Sequence, residues 1–71
     1  MRIVKLKTEP VELFRILKFE GLASSGGEAK YVIGQGQVRV NDQVETRKRK
    51  KIVAGDMIEF AGEQILVTMV D

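Results

Sequence analysis

Cysteine and histidine, two residue types that carry much of enzyme and metal chemistry, do not occur among the 71 residues. Without cysteine the chain can form neither disulfides nor thiolate–metal bonds, and without histidine it lacks the commonest general base and a common zinc ligand. The carboxylates Asp56, Glu59 and Glu63 fall in predicted turns or at a polar strand position, which explains them better than an acid–base pair does. We therefore expect no metal, no cofactor and no enzymatic activity.

Long apolar runs are also missing from the chain. No apolar stretch of about 18 residues occurs, and charges interrupt the first seven residues, MRIVKLK. The sequence therefore predicts neither a signal peptide nor a membrane span. We expect a cytoplasmic location, with which the lack of cysteine is compatible.

Positive charge is concentrated in one segment. Twelve basic residues oppose ten acidic ones, and five of the twelve form the basic run, which consists of Arg47, Lys48, Arg49, Lys50 and Lys51. The seven basic residues elsewhere are outnumbered by the ten acidic ones, so an acidic body carries one cationic element. This distribution favours binding of a polyanion at the basic run. A solvated loop, a nuclear-localisation-like address and a site for double-stranded DNA remain open, because charge alone does not distinguish between these.

The first half of the chain predicts a short strand and two helices. Residues 3–7 alternate weakly and favour a strand, and residues 8–19 favour a helix that begins near Pro10 and is ended by Gly21. The second helix is predicted over residues 25–35. Its start fits a capping box, in which the Ser25 hydroxyl and the Glu28 carboxylate each accept from the other residue's amide. One face of this helix carries Gly26, Gly27, Lys30 and Gly34.

The second half of the chain predicts strands. Residues 38–40 and 43–46 form a hairpin through the turn at Asn41 and Asp42, and residues 57–60 and 64–70 follow as two further strands. The expected fold class is therefore α+β, with two helices packed on a small, mostly antiparallel sheet of about four to five strands. No linker or repeat divides the chain, so residues 1–71 are expected to form a single domain.

Two segments carry a resemblance to a known family. LFRILKFEGLASSGGEAK at residues 13–30, with Ile33 and GQVRVN at residues 36–41, is similar to the S-four domain, the αL RNA-binding module named after a ribosomal small-subunit protein. The turn at residues 54–56 corresponds to the family's Pro-Gly-Asp element. ETRKRKKI at residues 45–52 looks closer still to the small stand-alone bacterial members, the YbcJ-like proteins.

The resemblance covers roughly residues 11–60 and departs from the family pattern at two positions. Asp42 stands where the family usually has glycine, so the resemblance does not determine the type of turn at this position. Gln37 replaces a frequent histidine, so the resemblance does not carry a stacking or donor role over to this position. In larger relatives the module delivers RNA to a separate catalytic domain, and this chain is too short to contain one.

The resemblance implies a non-catalytic module that binds structured RNA, ribosomal or transfer RNA, through phosphate contacts and that associates with the ribosome. The expected RNA-binding residues are Lys18, Ser25, Gly26, Gly27, Lys30, Arg39, Arg47, Lys48, Arg49, Lys50 and Lys51. Bare amides at the glycine-rich helix start permit close approach of a phosphate. Tyr31 either stacks on an unpaired base or packs at the edge of the core, and the second interpretation is the simpler one.

The alternative function is a protein-interaction or assembly module, in which the basic run docks on an acidic partner surface. The sequence leaves the identity of the RNA and the oligomeric state open.

Overall fold

A five-stranded mixed sheet and two short helices make up most of the computed structural model, which describes residues 1–70. The elements are β1 (Arg2–Leu6), β2 (Val11–Glu12), α1 (Leu13–Phe19), α2 (Gly26–Gly34), β3 (Val38–Val40), β4 (Gln43–Val44), β5 (Lys51–Ile52), β6 (Met57–Phe60) and β7 (Glu63–Met69). The main sheet has the order β1-β7-β6-β3-β4, and only its β1–β7 pair is parallel. The predicted α+β class is confirmed. Asp71, the last residue of the predicted domain, lies outside the described residues.

Both helices pack on one face of this sheet. The most deeply buried side chains are Leu13, Ile16, Leu17, Ile33, Val38, Ile52, Ile58, Ile65 and Val67. Along β3 the burial alternates, so that Val38 and Val40 face the helices while Arg39 faces solvent. Every buried residue in the described part of the chain is apolar. The polar chemistry of the protein therefore lies on its surface.

Helix α1 begins later than the sequence predicts. Residues 11–12 are extended and pair with residues 51–52, so the predicted start near Pro10 is wrong. The first amides of the helix donate across the fold, from Leu13 N to the carbonyl of Lys50 at 2.9 Å and from Phe14 N to that of Lys48 at 3.1 Å. The helix start is thus determined by a distant segment. Its end agrees with prediction, since Gly21 adopts a φ of +72°.

Helix α2 starts as predicted, with one difference in its cap. Ser25 is extended, and its hydroxyl accepts a hydrogen bond from Glu28 N at 3.1 Å. The prediction of a reciprocal bond from the Ser25 amide to Glu28 is wrong. The Glu28 carboxylate accepts instead from the hydroxyl of Ser24 at 2.8 Å and from the amide of Ser24 at 3.3 Å. Both serines of the interhelical loop are therefore held at the start of α2.

Both predicted hairpin turns are confirmed, and both have two consecutive left-handed residues. Asn41 and Asp42 have φ of 52° and 68°, and Ala61 and Gly62 have φ of 54° and 80°. This is the type I′ geometry that matches the twist of the paired strands. Asp42 adopts it without the glycine that the family pattern has there.

The turn at Ala61 provides a test of this geometry. A left-handed conformation costs alanine about 1 kcal/mol and costs asparagine less, and Asn-Gly is the preferred pair in type I′ turns. We expect Ala61→Asn to stabilise the protein and to raise the midpoint of thermal unfolding, by about 4–8 °C for each kcal/mol gained. Circular dichroism measures this midpoint, and a lower value in the variant would contradict the turn assignment.

Candidate nucleic-acid interface

The backbone of the basic run is fixed to the first turn of α1. Lys48 and Lys50 contribute the carbonyls that receive the helix amides, and Lys50 N donates to the carbonyl of Arg47 at 3.1 Å to close a turn. The first amides of an α-helix have no partner within the helix, so these contacts satisfy groups that must bond elsewhere. The side chains of the run therefore project from an anchored backbone.

Two carboxylates accompany the five cations. Glu45 accepts from Arg47 Nε at 2.9 Å and from Arg47 Nη2 at 3.0 Å, which makes a bidentate pair, and it also accepts from the Arg47 amide. Glu12 accepts from Arg49 Nη1 with both oxygens at 3.3 Å. Within residues 1–70, Lys48, Lys50 and Lys51 form no ion pair. The repulsion expected from five consecutive cations is thus reduced at both arginines.

The pairing with Arg47 strongly lowers the pKa of Glu45. Hydrogen bonds from the Arg47 side chain lower the pKa of Glu45 to about 2, although desolvation acts in the opposite direction. The Glu45 side chain is only 12% exposed. At neutral pH the carboxylate is ionised and holds the Arg47 guanidinium in one orientation.

Three cations surround the ring of Phe14. Lys30 Nζ lies 4.7 Å from the ring centroid, Arg15 Cζ lies 5.2 Å from it and Arg49 Cζ 5.4 Å. These distances fall within the range of cation–π attraction. The buried ring thus joins α1, α2 and the basic run in one cationic cluster. Sequence reasoning missed Arg15, because its position opposite the apolar arc of α1 indicated only solvent exposure.

An open groove of about 610 Å³ separates α2 from the basic run. Gly27, Lys30, Tyr31 and Gly34 form its α2 wall, and Thr46, Arg47, Lys48 and Arg49 form the other. Tyr31 is 64% exposed, so the core-edge interpretation of this residue is wrong. The groove brings together an aromatic ring, a helix face with little side-chain bulk and several cations.

Packing within the protein does not require the glycines of this wall. A Cβ atom at Gly27 would approach nothing closer than Ser25 Oγ at 3.8 Å, and one at Gly34 would meet no atom within 4 Å. At Gly26 the nearest atom is Cε2 of Phe14 at 3.7 Å, an ordinary contact distance. All three positions lie in regular helix. The absence of side chains here leaves the groove wide and the helix backbone accessible.

The remaining predicted residues lie around this groove or away from it. Ser25 is the N-cap of α2, and Lys50 and Lys51 line a second shallow depression beside Arg47 and Arg49. Lys18 is exposed in the last turn of α1, outside the lining of the groove. Arg39 lies on the helix-free face of the sheet, opposite Glu59 of β6. The structure therefore does not bring Arg39 together with the basic run.

Across residues 1–70 no group of three or more acidic side chains is placed to hold a metal ion. None of the helices in this same part of the chain is long and apolar enough to span a membrane.

A two-helix motif on a small sheet, with a cationic groove beside the second helix, defines the class of this protein as a small binding domain. Residues 4–68 match the model of the S4 domain family, and the chain belongs to this family. The sequence resemblance to the S-four domain is thus confirmed. The matched region extends beyond residues 11–60 to include most of β1 and β7.

Individual relatives are similar over most of their length. "Putative RNA-binding protein YbcJ" of Escherichia coli is 54% identical over 57 residues, which are 80% of this chain and 81% of YbcJ. "Probable ribosome maturation protein RlbA" of Bacillus subtilis is 34% identical over 59 residues, 83% of either chain. The solution structure of YbcJ from E. coli reveals an αL motif involved in RNA binding. It superposes on this chain with a TM-score of 0.73 and 49% sequence identity, and the match covers 96% of this chain and 87% of YbcJ.

The Glu45–Arg47 pair predicts a specific pH dependence. The folded state lowers the Glu45 pKa from an ordinary value of 4.5 to about 2. Its stabilising contribution is therefore fully present above pH 4.5 and is lost as the pH falls toward 2. We expect the difference in free energy of unfolding between wild type and Glu45→Gln to shrink over this interval in urea titrations. A difference that stays constant with pH would contradict the assigned pair.

Proposed function

We propose that this chain is a non-catalytic RNA-binding domain that recognises structured RNA through its phosphate backbone. The observation that carries the proposal is the groove between the glycine-bearing wall of α2 and the anchored basic run. The naming of YbcJ as an RNA-binding protein, and the involvement of its αL motif in RNA binding, support the proposal. They also favour it over docking on an acidic protein surface.

The glycines of α2 support contact with a ligand backbone. Glycine inside a helix costs up to about 1 kcal/mol relative to alanine, and nothing in the protein offsets this cost at Gly27 or Gly34. A phosphate that approaches the start of α2 gains from bare amides and from the positive end of the helix dipole. A groove wall without side chains admits a sugar–phosphate chain that larger residues would exclude.

The opposite wall supplies charge in two forms. Arg47 and Arg49 are oriented by carboxylates before binding, so less side-chain freedom is lost when they contact phosphate. Lys48, Lys50 and Lys51 form no ion pair within residues 1–70, so their charge is available to a ligand. Tyr31 lies beside this charge with an exposed ring, and we propose that it stacks on an unpaired base.

Ribosomal RNA is the proposed target, in preference to transfer RNA. The similarity to RlbA, named a probable ribosome maturation protein, supports this choice. A ribosomal target would place the protein in the cytoplasm, in association with the ribosome or its precursors. Residues 1–71 would act as one domain, with the contacts concentrated in residues 11–60. Lys18 and Arg39 lie outside the groove and would be reached only by RNA that extends beyond it.

The lysines of the basic run test this proposal. We expect Lys48→Gln combined with Lys50→Gln to weaken binding to ribosomal RNA fragments while leaving the thermal midpoint nearly unchanged, because the hydrogen bonds of these residues to α1 come from backbone carbonyls that the substitutions keep. Loss of two phosphate contacts should flatten the slope of log affinity against log salt by about 1.4–1.8. Fluorescence anisotropy at several salt concentrations measures both quantities.

The matched control removes equal charge elsewhere. Lys5 and Lys7 are exposed near β1 and lie outside the groove lining. Lys5→Gln combined with Lys7→Gln should leave the salt slope close to that of wild type. Equal weakening by both double variants would indicate that only net charge matters and would contradict a localised site.

Gly27 tests the shape of the groove separately from its charge. Because a Cβ atom is accommodated there, Gly27→Leu should fold normally and should be at least as stable as wild type. A leucine side chain would project into the groove and obstruct the RNA backbone. We expect lower RNA affinity at unchanged salt slope, measured in the same anisotropy titrations. Unaltered affinity in a folded variant would exclude close approach of RNA at this wall.

A further inference from the structure

An acidic residue, Glu12, lies at the centre of the cationic cluster. Its carboxylate accepts from Arg15 Nε at 3.1 Å and from Arg49 Nη1 with both oxygens at 3.3 Å. The two arginines come from different elements, and Arg49 is 37 residues away along the chain. One carboxylate therefore bridges two guanidinium groups that local sequence does not place together.

Local folding explains only part of this contact, since the pair with Arg15 is a local i,i+3 ion pair and the pair with Arg49 is not. Glu12 occupies the N-cap position of α1, but its side chain makes no capping hydrogen bond. The carbonyls of Lys48 and Lys50 accept the first helix amides instead. Ion pairs at a protein surface contribute little to stability, so the bridge has a weak structural rationale.

The bridge does have a geometric consequence for the arginines. Both guanidinium groups lie over the Phe14 ring, at 5.2 Å and 5.4 Å from its centroid. Hydrogen bonding from Arg15 lowers the pKa of Glu12, so the carboxylate is ionised at neutral pH. A guanidinium has five donors, so each arginine retains donors that the carboxylate does not use. The remaining donors of the two arginines are thus held close to each other.

We propose that Glu12 is a positioning residue for RNA binding, which holds Arg15 and Arg49 on the Phe14 ring so that together they receive one phosphate group. The inference rests on the proposed RNA-binding function and deepens it. Arginine side chains populate many conformations when free, and orienting two of them in advance lowers the entropy lost on binding. A negative charge inside a polyanion site thereby favours binding of the polyanion.

Whether loss of the Glu12 carboxylate weakens or strengthens RNA binding distinguishes a positioning role from a simple effect of net charge. Removing a carboxylate from a site that binds phosphate should strengthen binding if only net charge matters. We expect the opposite: Glu12→Gln should weaken RNA affinity roughly tenfold, the scale of one misplaced charge-assisted hydrogen bond. Glu59→Gln is the matched control, because it makes the same charge change on the helix-free face of the sheet. It should leave the affinity unchanged or slightly higher.

A double-mutant cycle assigns the effect to the arginine. In an Arg49→Gln background the carboxylate has lost one of its two partners, so Glu12→Gln should cause a smaller further loss than it does in wild type. The same loss in both backgrounds, or a gain in affinity from Glu12→Gln alone, would overturn the positioning role. Glu12→Asp keeps the charge and shortens the side chain, so it should also weaken binding, and equal affinity to wild type would count against the bridge.

Measurements without RNA distinguish failure of this inference from failure of the proposed function. In nuclear magnetic resonance spectra the Nε–H signals of Arg15 and Arg49 should shift when Glu12→Gln is introduced, while the thermal midpoint stays close to that of wild type. Unshifted signals would overturn the bridge whatever the RNA result. If the signals shift but wild type binds no RNA, the proposed function fails and this inference falls with it. If wild type binds RNA and Glu12→Gln binds as tightly, only the positioning role is wrong.

Discussion

The contact between the basic run and the first turn of α1 determines how fold and site are joined. An α-helix begins with amides that lack partners inside the helix, and burying them unsatisfied is costly. Here the carbonyls of Lys48 and Lys50 accept from Leu13 and Phe14, and the short β2–β5 pair extends the same contact. The segment with the densest positive charge is thereby bonded through its backbone to the start of α1. Its cations have a defined backbone geometry, although all of their side chains except that of Lys50 are exposed.

The acidic residues next to this segment change how its charge acts. Glu45 and Glu12 each engage an arginine, while the lysines of the run have no acidic partner in the described chain. The arginines, whose planar groups suit bidentate contacts, are oriented by carboxylates, whereas the lysines, which act as point charges, are not held by an ion pair in the described chain. The five-residue run thus contains two arginines that are held by carboxylates and three lysines that are not. The net charge of the run does not reveal this difference.

Local patterns in the sequence predict those features whose causes are local. Gly21 ends α1, Ser25 starts α2, and the turns at Asn41 and Ala61 close their hairpins, because each depends on residues a few positions apart. The start of α1, the role of Arg15 and the exposure of Tyr31 depend instead on which distant segments pack together. Glu12 illustrates the limit: its sequence neighbours indicate a solvated helix residue that can pair with Arg15, but its second partner, Arg49, lies 37 residues away. Periodicity finds the core stripe of a helix but not the neighbours of its outer face.

The two walls of the groove respond differently to salt. The strength of polyanion binding can therefore be distinguished from the fit of the ligand to the groove. Attraction to the basic run weakens as salt rises, since it depends on displaced counterions. The α2 wall acts through the absence of side chains, which salt does not alter. In the proposed complex, phosphate contacts on one wall would set how tightly the RNA is held, while the glycine face would admit backbones that can approach a helix closely. Stacking of a base on the exposed ring of Tyr31 in the α2 wall, which we propose above, would distinguish an unpaired nucleotide from an uninterrupted duplex.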